Sequence, residues 1–158
     1  MNCMNFPKDF IWGTASSSYQ IEGAYNRDGK GASIWDTFCR KGGAIAEGSD
    51  GTIACGYYDK YEEDIRLMAE AGIRAYRFSI SWPRIFPNGD DTAVNAAGLA
   101  FYDRVTDCCI RYGIQPHITL FHWDLPQSLS DRGGWLNENT IQAFVRYAAV
   151  ICEHFSDR

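Results

Sequence analysis

The sequence predicts an α/β fold in which parallel strands alternate with helices. Two segments repeat at a fixed offset, because Gly72-Ile73 recurs as Gly113-Ile114 and Trp82 recurs as Trp123, each forty-one residues later. Each copy passes from a helical pattern through the Gly-Ile pair into a run that is typical of a strand. Strands that alternate with helices at this spacing need crossover connections, so the strands are expected to be parallel.

Length and composition indicate one globular domain that spans residues 1–158. The chain is 46% hydrophobic and 22% charged, which is enough apolar material for one sizeable core. A net charge of -5 without a basic run argues against a nucleic-acid partner. The aromatic share of 15%, with five Trp, suits either a dense core or platforms for carbohydrate stacking.

The first ten residues, MNCMNFPKDF, contain no long apolar segment behind a basic start. Neither a secretory signal nor a membrane span is therefore expected, and the predicted location is the cytoplasm. No C-x-x-C pair occurs, and two of the six cysteines fall within a helical pattern. Free thiols are predicted for all six: Cys3, Cys39, Cys55, Cys108, Cys109 and Cys152.

The first strand is predicted from Ile11 to Gln20, an uncharged run of apolar and small residues that suits a strand covered on both faces. Gln20 would end this strand. Its amide both donates and accepts, so it can bind neighbouring hydroxyls of a polyol while the ring of Trp12 or Tyr19 covers an apolar sugar face. The alternative is a buried strand whose Gln20 satisfies the backbone of a loop.

Residues 25–56 show no sustained period and predict a long loop. Trp35 and Phe38 favour an ordered loop near a site. The Gly29–Gly31 triplet is not a phosphate-binding loop, because Lys30 is followed by Gly rather than by Ser or Thr.

Three helices are predicted after this loop: one from Tyr57 to Gly72, one from Leu99 to Gly113 and one that opens near Asn137 or Asn139. The strands between them are predicted from Ile73 to Trp82 and from Ile114 to Trp123. Extending the repeat once more predicts a fourth strand from roughly residue 155 onward.

Arg77 lies in the second predicted strand and shares a face with Ser79 and Ser81. A charged side chain in a central parallel strand is costly unless it is paired, so Arg77 implies a buried carboxylate partner. The ion pair would be either structural or part of a catalytic site.

His122 falls, by the repeat offset, at the position of Ser81 and at the C-terminal end of its strand. That end carries the site in α/β folds, which favours a hydrogen-bonding or acid-base role over an inert core histidine. A metal site is not expected, because His117 lies on the opposite face and no other ligand cluster accompanies the pair.

The run from Phe10 to Ala24 resembles the N-terminal signature of glycoside hydrolase family 1, the β-glucosidase-like family. The matching residues are Phe10, Trp12, Gly13, Ala15, Ser17, Ser18, Tyr19, Gln20, Glu22 and Ala24. Similarity continues through GASIWD (31–36), RFSISWPRI (77–85), FHWDLP (121–126) and GGW (133–135). The resemblance implies a partial (β/α)8 TIM barrel, about the first three βα units and the start of the fourth.

This resemblance also implies a chemistry, namely hydrolysis of β-glycosides with retention by two glutamates about 5 Å apart. By the same resemblance Gln20, His122 and Trp123 bind the sugar, and Arg77 supports the nucleophile. No cofactor is implied. The T-x-N-E-P and E-N-G motifs that carry the glutamates do not occur in this sequence, so the chain is expected to be inactive alone.

Three readings stay open from the sequence. The first is the N-terminal part of a β-glucosidase-type hydrolase, which needs a complementary C-terminal fragment or self-association. The second is a non-catalytic sugar-binding or scaffold fragment of a barrel. The third, an open α/β nucleotide-binding domain, is disfavoured because no glycine-rich phosphate loop occurs.

Overall fold

A three-stranded parallel sheet organises the fold. The computed structural model describes residues 6–158 of the chain. Its strands, β1 (Gly13–Ala15), β2 (Ala75–Ser79) and β3 (Gln115–Thr119), lie side by side in sequence order. In the register, Gly13 pairs with Ala75, and Ala75 pairs with Gln115. The predicted alternation of helices with parallel strands is confirmed.

Within residues 6–158, seven α-helices connect and follow these strands. The segment between β1 and β2 forms α1 (Ser18–Ile21), α2 (Ile34–Cys39) and α3 (Tyr57–Glu70), and the segment between β2 and β3 forms α4 (Trp82–Ile85) and α5 (Ala96–Arg111). After β3 come α6 (Gln127–Asp131), a 3-10 turn (Gly134–Leu136) and α7 (Glu138–His154). The three predicted long helices are thus present. Asn137 caps α7 by accepting a hydrogen bond from the Asn139 N–H.

The strands are shorter than the sequence predicts. β1 ends at Ala15, so Gln20 lies in the α1 turn beyond the strand and not on it. β2 ends at Ser79 because Trp82 and Pro83 already form the first turn of α4, where proline is well tolerated. β1, which forms an edge of the sheet, is also exposed rather than covered on both faces by the described residues.

The predicted loop 25–56 is interrupted by helix α2. Ser33 and Asp36 cap this helix reciprocally: Ser33 Oγ accepts from the Asp36 N–H at 3.2 Å, and Asp36 Oδ2 accepts from the Ser33 N–H at 2.8 Å. An isolated bridge joins Ser33 to Pro126. The long connection after β1 is therefore fixed to the segment that follows β3.

The core lies between the sheet and the long helices, and Trp82 is at its centre. The Trp82 side chain is fully buried and stacks on Tyr147 of α7, with ring centroids 5.2 Å apart and 9° between the ring planes. Tyr147 Oη donates to the Leu120 carbonyl at 2.8 Å, which ties α7 to the end of β3. Residues 155–158, where the sequence predicts a fourth strand to begin, form the turn that leaves α7.

Within residues 6–158 no helix combines the length and the apolar character that crossing a membrane requires. The five cysteines in this range, Cys39, Cys55, Cys108, Cys109 and Cys152, are free thiols. Cys3 lies outside the described residues.

Candidate active site

A cavity of about 460 Å³ opens beyond the C-terminal ends of β1 and β3. We call it the site cavity. Its walls come from α1, from α2 with the loop after it, and from the turn that follows β3. It is lined by Ser17, Tyr19, Gln20, Trp35, Cys39, Ile45, Ser49, Asp50, Gly51, Ala54, His122 and Trp123. Three of the four residues singled out in the sequence, Gln20, His122 and Trp123, thus meet at one cavity.

Gln20 reaches the site cavity from the short helix α1. Ser17, which is buried and precedes the helix, donates from Oγ to Gln20 Oε1 at 2.6 Å. Because this bond occupies the amide oxygen, the amide nitrogen is left to donate into the cavity. Gln20 is therefore oriented by its own turn before any ligand binds.

His122 and Trp123 occupy the turn after β3. Their rings are nearly parallel, with centroids 5.5 Å apart and 15° between planes, and the Trp123 side chain is 66% exposed. Trp123 has a φ of +67°, in the left-handed region that bulky residues rarely adopt, which costs about 1–3 kcal/mol. The surrounding structure holds this conformation and presents a flat indole, the kind of surface that stacks on an apolar sugar face.

Arg77 does not line the site cavity. Its side chain is exposed, and no hydrogen bond or ion pair joins it to a carboxylate within residues 6–158. The buried partner that the sequence implies is therefore not found in the described chain. Ser18 covers Ser79 farther along the same face of β2, whereas the described residues leave Arg77 itself exposed, so its role beside a nucleophile stays a prediction.

The buried arginine of this fold is Arg84 on α4. Its side chain has no exposed surface, and its Nε and Nη2 donate to Glu22 Oε2 at 3.1 and 3.0 Å. Tyr102 of α5 donates to Glu22 Oε1 at 2.6 Å. Sequence reasoning missed this pair, although Arg84 stands alone among apolar neighbours, which is the signal that a buried partner exists.

Asp124 lies directly beneath the turn that carries His122 and Trp123. It is 1% exposed, and its Oδ2 accepts from Ser18 Oγ at 2.8 Å. Ser79, the last residue of β2, donates to Ser18 Oγ at 3.2 Å. Burial raises the pKa of Asp124 to about 6, although the hydrogen bond from Ser18 opposes the rise.

The site cavity contains groups for binding but no carboxylate pair. Asp50 is the one carboxylate among the residues that line it, and its Oδ1 accepts from the N–H and the hydroxyl of Thr52 at 2.9 and 2.6 Å. Across residues 6–158 no three metal-ligating side chains come together. The described walls therefore offer hydrogen-bonding groups and aromatic rings, which suit a polyhydroxylated ligand.

Comparisons with known proteins agree with this geometry. The sequence model described as glycosyl hydrolase family 1 matches residues 3–158. Beta-glucosidase A of Acetivibrio thermocellus is 56% identical over 157 residues, which are 99% of this chain and 35% of that protein. An aryl-phospho-beta-D-glucosidase of Bacillus subtilis is 50% identical over 155 residues, 98% of this chain and 32% of that protein.

A solved structure of a beta-glucosidase is also similar to this chain. The beta-glucosidase of Thermotoga maritima in complex with castanospermine superposes with a TM-score of 0.93 at 47% identity, covering 97% of this chain and 34% of that one. The likeness confirms the expected partial (β/α)8 barrel. The chain spans about a third of the length of the relatives that it matches.

Proposed function

Because this chain belongs to glycosyl hydrolase family 1, we propose that it supplies the sugar-binding third of an enzyme that hydrolyses β-glucosides with retention of configuration. The observation that carries the proposal is the convergence of Gln20, His122 and Trp123 on one cavity beyond the strand ends. In α/β barrels that end of the strands bears the site.

Each of these residues has a proposed role in holding the terminal sugar. Gln20 donates from its amide nitrogen, and His122 hydrogen-bonds a second hydroxyl. Trp123 covers an apolar face of the ring with its exposed indole. Together they fix the sugar before the glycosidic bond is attacked, which is the positioning part of catalysis.

The catalytic carboxylates are proposed to lie in the C-terminal two thirds that the relatives possess beyond the matched region. Retaining glycosidases need two carboxyl groups about 5–5.5 Å apart, one as acid and base and one as nucleophile. Asp50 is bound by Thr52 and provides neither. Arg77, which is exposed on β2, is proposed to contact the nucleophile and keep it ionised.

The proposed partner of this chain is that complementary C-terminal segment. We call the chain together with this segment, on one polypeptide or two, the assembled enzyme. The proposed substrate is an aryl or alkyl β-D-glucoside or a related β-glycoside. A cytoplasmic location is also proposed, supported by the five free thiols, because cytosolic thiols stay reduced.

A second candidate function is that of a sugar-binding scaffold without chemistry. The absence of a carboxylate pair from the described walls of the site cavity favours it. The two candidates differ in one measurable respect, since an assembled scaffold binds a β-glucoside but leaves it intact.

The deciding experiment is an assay of the chain alone and of the assembled enzyme on an aryl β-D-glucoside and its 6-phosphate. We expect no turnover by the chain alone and turnover on assembly, with kcat/KM reduced at least about tenfold by His122→Ala. The matched control is His154→Ala, which removes a histidine that pairs with Asp103 outside the site cavity. Turnover by the chain alone, unchanged by His122→Ala, would contradict the proposal.

A further inference from the structure

A hydrogen bond between Ser18 and Asp124 joins the two halves of the site cavity. We propose that this pair is a positioning link, which sets the distance between Gln20 on one side and His122 with Trp123 on the other. The inference rests on the proposed function. It concerns two residues that do not line the site cavity and do not touch the sugar.

The geometry places the link where the two halves meet. Ser18 begins α1, two residues before Gln20, and Asp124 immediately follows Trp123. Their bond of 2.8 Å closes a sequence separation of 106 residues. The two segments leave β1 and β3, which are separated by β2 in the sheet. The link therefore crosses over the end of the central strand.

The central strand takes part in the same contact. Ser79 at the end of β2 accepts from the Ser18 N–H at 2.8 Å and donates to Ser18 Oγ at 3.2 Å. All three strand ends are thus joined through two hydroxyls and one carboxylate. A movement of α1 relative to the turn after β3 would break these buried bonds, so the two walls of the cavity are held as a unit.

Stability alone does not account for a carboxylate at position 124. Asp124 is almost fully buried, and its Oδ1 has no hydrogen-bond partner among the described residues. A buried carboxylate with an unpaired oxygen costs free energy that an uncharged side chain of similar size avoids. A group that lowers stability directly beneath a binding site is typical of a functional constraint.

The conformation of Trp123 indicates what the link holds. Its backbone has a φ of +67°, which is unfavourable for a tryptophan and persists only where neighbours fix it. Asp124 anchors the next residue of the chain to α1. Without that anchor the turn is free to relax, and the indole and the His122 ring would move away from the positions that face Gln20.

The first test compares Asp124→Asn with Asp124→Leu in the assembled enzyme. The two side chains have similar size and no charge, but only asparagine keeps an oxygen that accepts from Ser18. We expect Asn to retain kcat/KM within about threefold of wild type and Leu to lose about tenfold or more. Asp124→Asn should melt at or above the wild-type temperature, whereas Asp124→Leu leaves the buried Ser18 hydroxyl without its acceptor. Activity is therefore compared at a temperature where thermal melts show that both variants are folded.

The second test is a double-mutant cycle between positions 18 and 124. Ser18→Ala should lower kcat/KM about tenfold in the wild-type background and clearly less in the Asp124→Leu background, where only the contact from Ser79 to Ser18 Oγ remains to be lost. Thr106→Val is the matched control, because Thr106 carries a buried hydroxyl outside the site cavity. It should leave kcat/KM unchanged.

The outcomes separate this inference from the proposed function. A wild type that neither hydrolyses an aryl β-glucoside nor binds castanospermine overturns the proposed function. Equal kcat/KM for Asp124→Asn and Asp124→Leu would overturn the proposed link but not the proposed function. Additive effects of substitutions at positions 18 and 124 would do the same. If the wild type binds castanospermine without turnover, its dissociation constant replaces kcat/KM in every comparison, with the same fold changes expected.

Discussion

At the scale of single residues, Asp124 makes stability depend on pH. Its pKa is about 6 in the folded chain and about 3.9 in an unfolded one, so folding favours the protonated form. Its favourable contribution is complete below about pH 4 and is lost as the pH rises through about 6. Asp124→Asn should therefore stabilise the assembled enzyme at pH 7.5 by about 3 kcal/mol, and less at pH 5.

Urea unfolding at the two pH values measures this difference. The comparison of variant with wild type cancels the other titrating groups, since they are common to both proteins. A stability gain of equal size at pH 7.5 and pH 5 would mean that position 124 does not titrate in this range.

Gln20 offers a second prediction at this scale. Gln20→Ala in the assembled enzyme should lower kcat/KM about tenfold or more, because contacts to sugar hydroxyls strengthen toward the transition state. Ser17→Ala should have a smaller effect in the same direction, since it frees the amide without removing it. Gln127→Ala is the control, because this glutamine bonds Asp131 on α6 away from the site cavity. Unchanged catalytic efficiency in Gln20→Ala would remove Gln20 from the proposed site.

Some site residues can be predicted from a short stretch of sequence, whereas others depend on residues far away in the chain. His122 is placed at a strand end by the repeat offset, and Gln20 by the end of an uncharged run, both of which are visible in a short stretch. Arg77 and Arg84 lie in the same short run, and the local pattern cannot decide which one is buried. Arg84 is the buried one because its carboxylate partner is Glu22. Glu22 lies sixty-two residues earlier in the sequence and contacts Arg84 only in the folded chain.

At the scale of elements, the pair of Glu22 and Arg84 holds α4 and α5 to the end of α1. Arg84→Met should destabilise the assembled enzyme by about 3–5 kcal/mol, because it leaves a buried carboxylate without its cation. Adding Glu22→Gln should recover part of the loss, since the uncompensated charge is then removed. Arg111→Ala, which breaks an exposed pair with Glu62, should change stability by less than about 0.5 kcal/mol.

Chemical denaturation of the three variants tests this prediction. A loss for Arg84→Met no larger than that for Arg111→Ala would show that the buried pair contributes little to joining these helices.

The contact between α4 and α5 depends on Gly98. A Cβ at this position would lie 2.1 Å from the Arg84 carbonyl oxygen, too close for any side chain. Gly98→Ala should therefore lower the free energy of unfolding by about 1–3 kcal/mol, although alanine favours helix by about 1 kcal/mol. Gly42→Ala is the control, because a Cβ there would meet no atom within 4 Å. Stabilisation by Gly98→Ala would contradict this close packing of α4 on α5.

Element boundaries show why the sequence predicts helices here better than strand ends. The long helices α3, α5 and α7 carry apolar residues over several turns, and each begins or ends near a recognisable cap. The strands continue as apolar runs after their pairing stops. β2 stops at Ser79 because Trp82 and Pro83 turn into α4, and this competition between strand and helix is settled by tertiary packing around Trp82.

At the scale of the whole molecule, both outer strands have an unpaired edge within residues 6–158. Exposed aromatic and aliphatic side chains accompany the β1 edge: Phe10 is 43%, Ile11 is 60% and Trp12 is 50% exposed. Open edges beside apolar surface favour association. The chain alone should therefore elute as oligomers or aggregates, and adding the C-terminal segment should give a single species of one-to-one composition.

Size-exclusion chromatography with light scattering measures both states. A monodisperse monomer of the chain alone, with one cooperative thermal transition, would contradict the prediction.

The link between Ser18 and Asp124 also has a consequence for protein synthesis. Ribosomes release a chain from its N-terminus, so both the Glu22–Arg84 pair and the Ser18–Asp124 pair have emerged once residue 124 has been released. Helix α7, which packs Tyr147 against Trp82, emerges next. In a nascent protein as long as the relatives, the described walls of the site cavity would thus be in place while the later two thirds are still being translated. These walls would then serve as the surface against which the later segment folds.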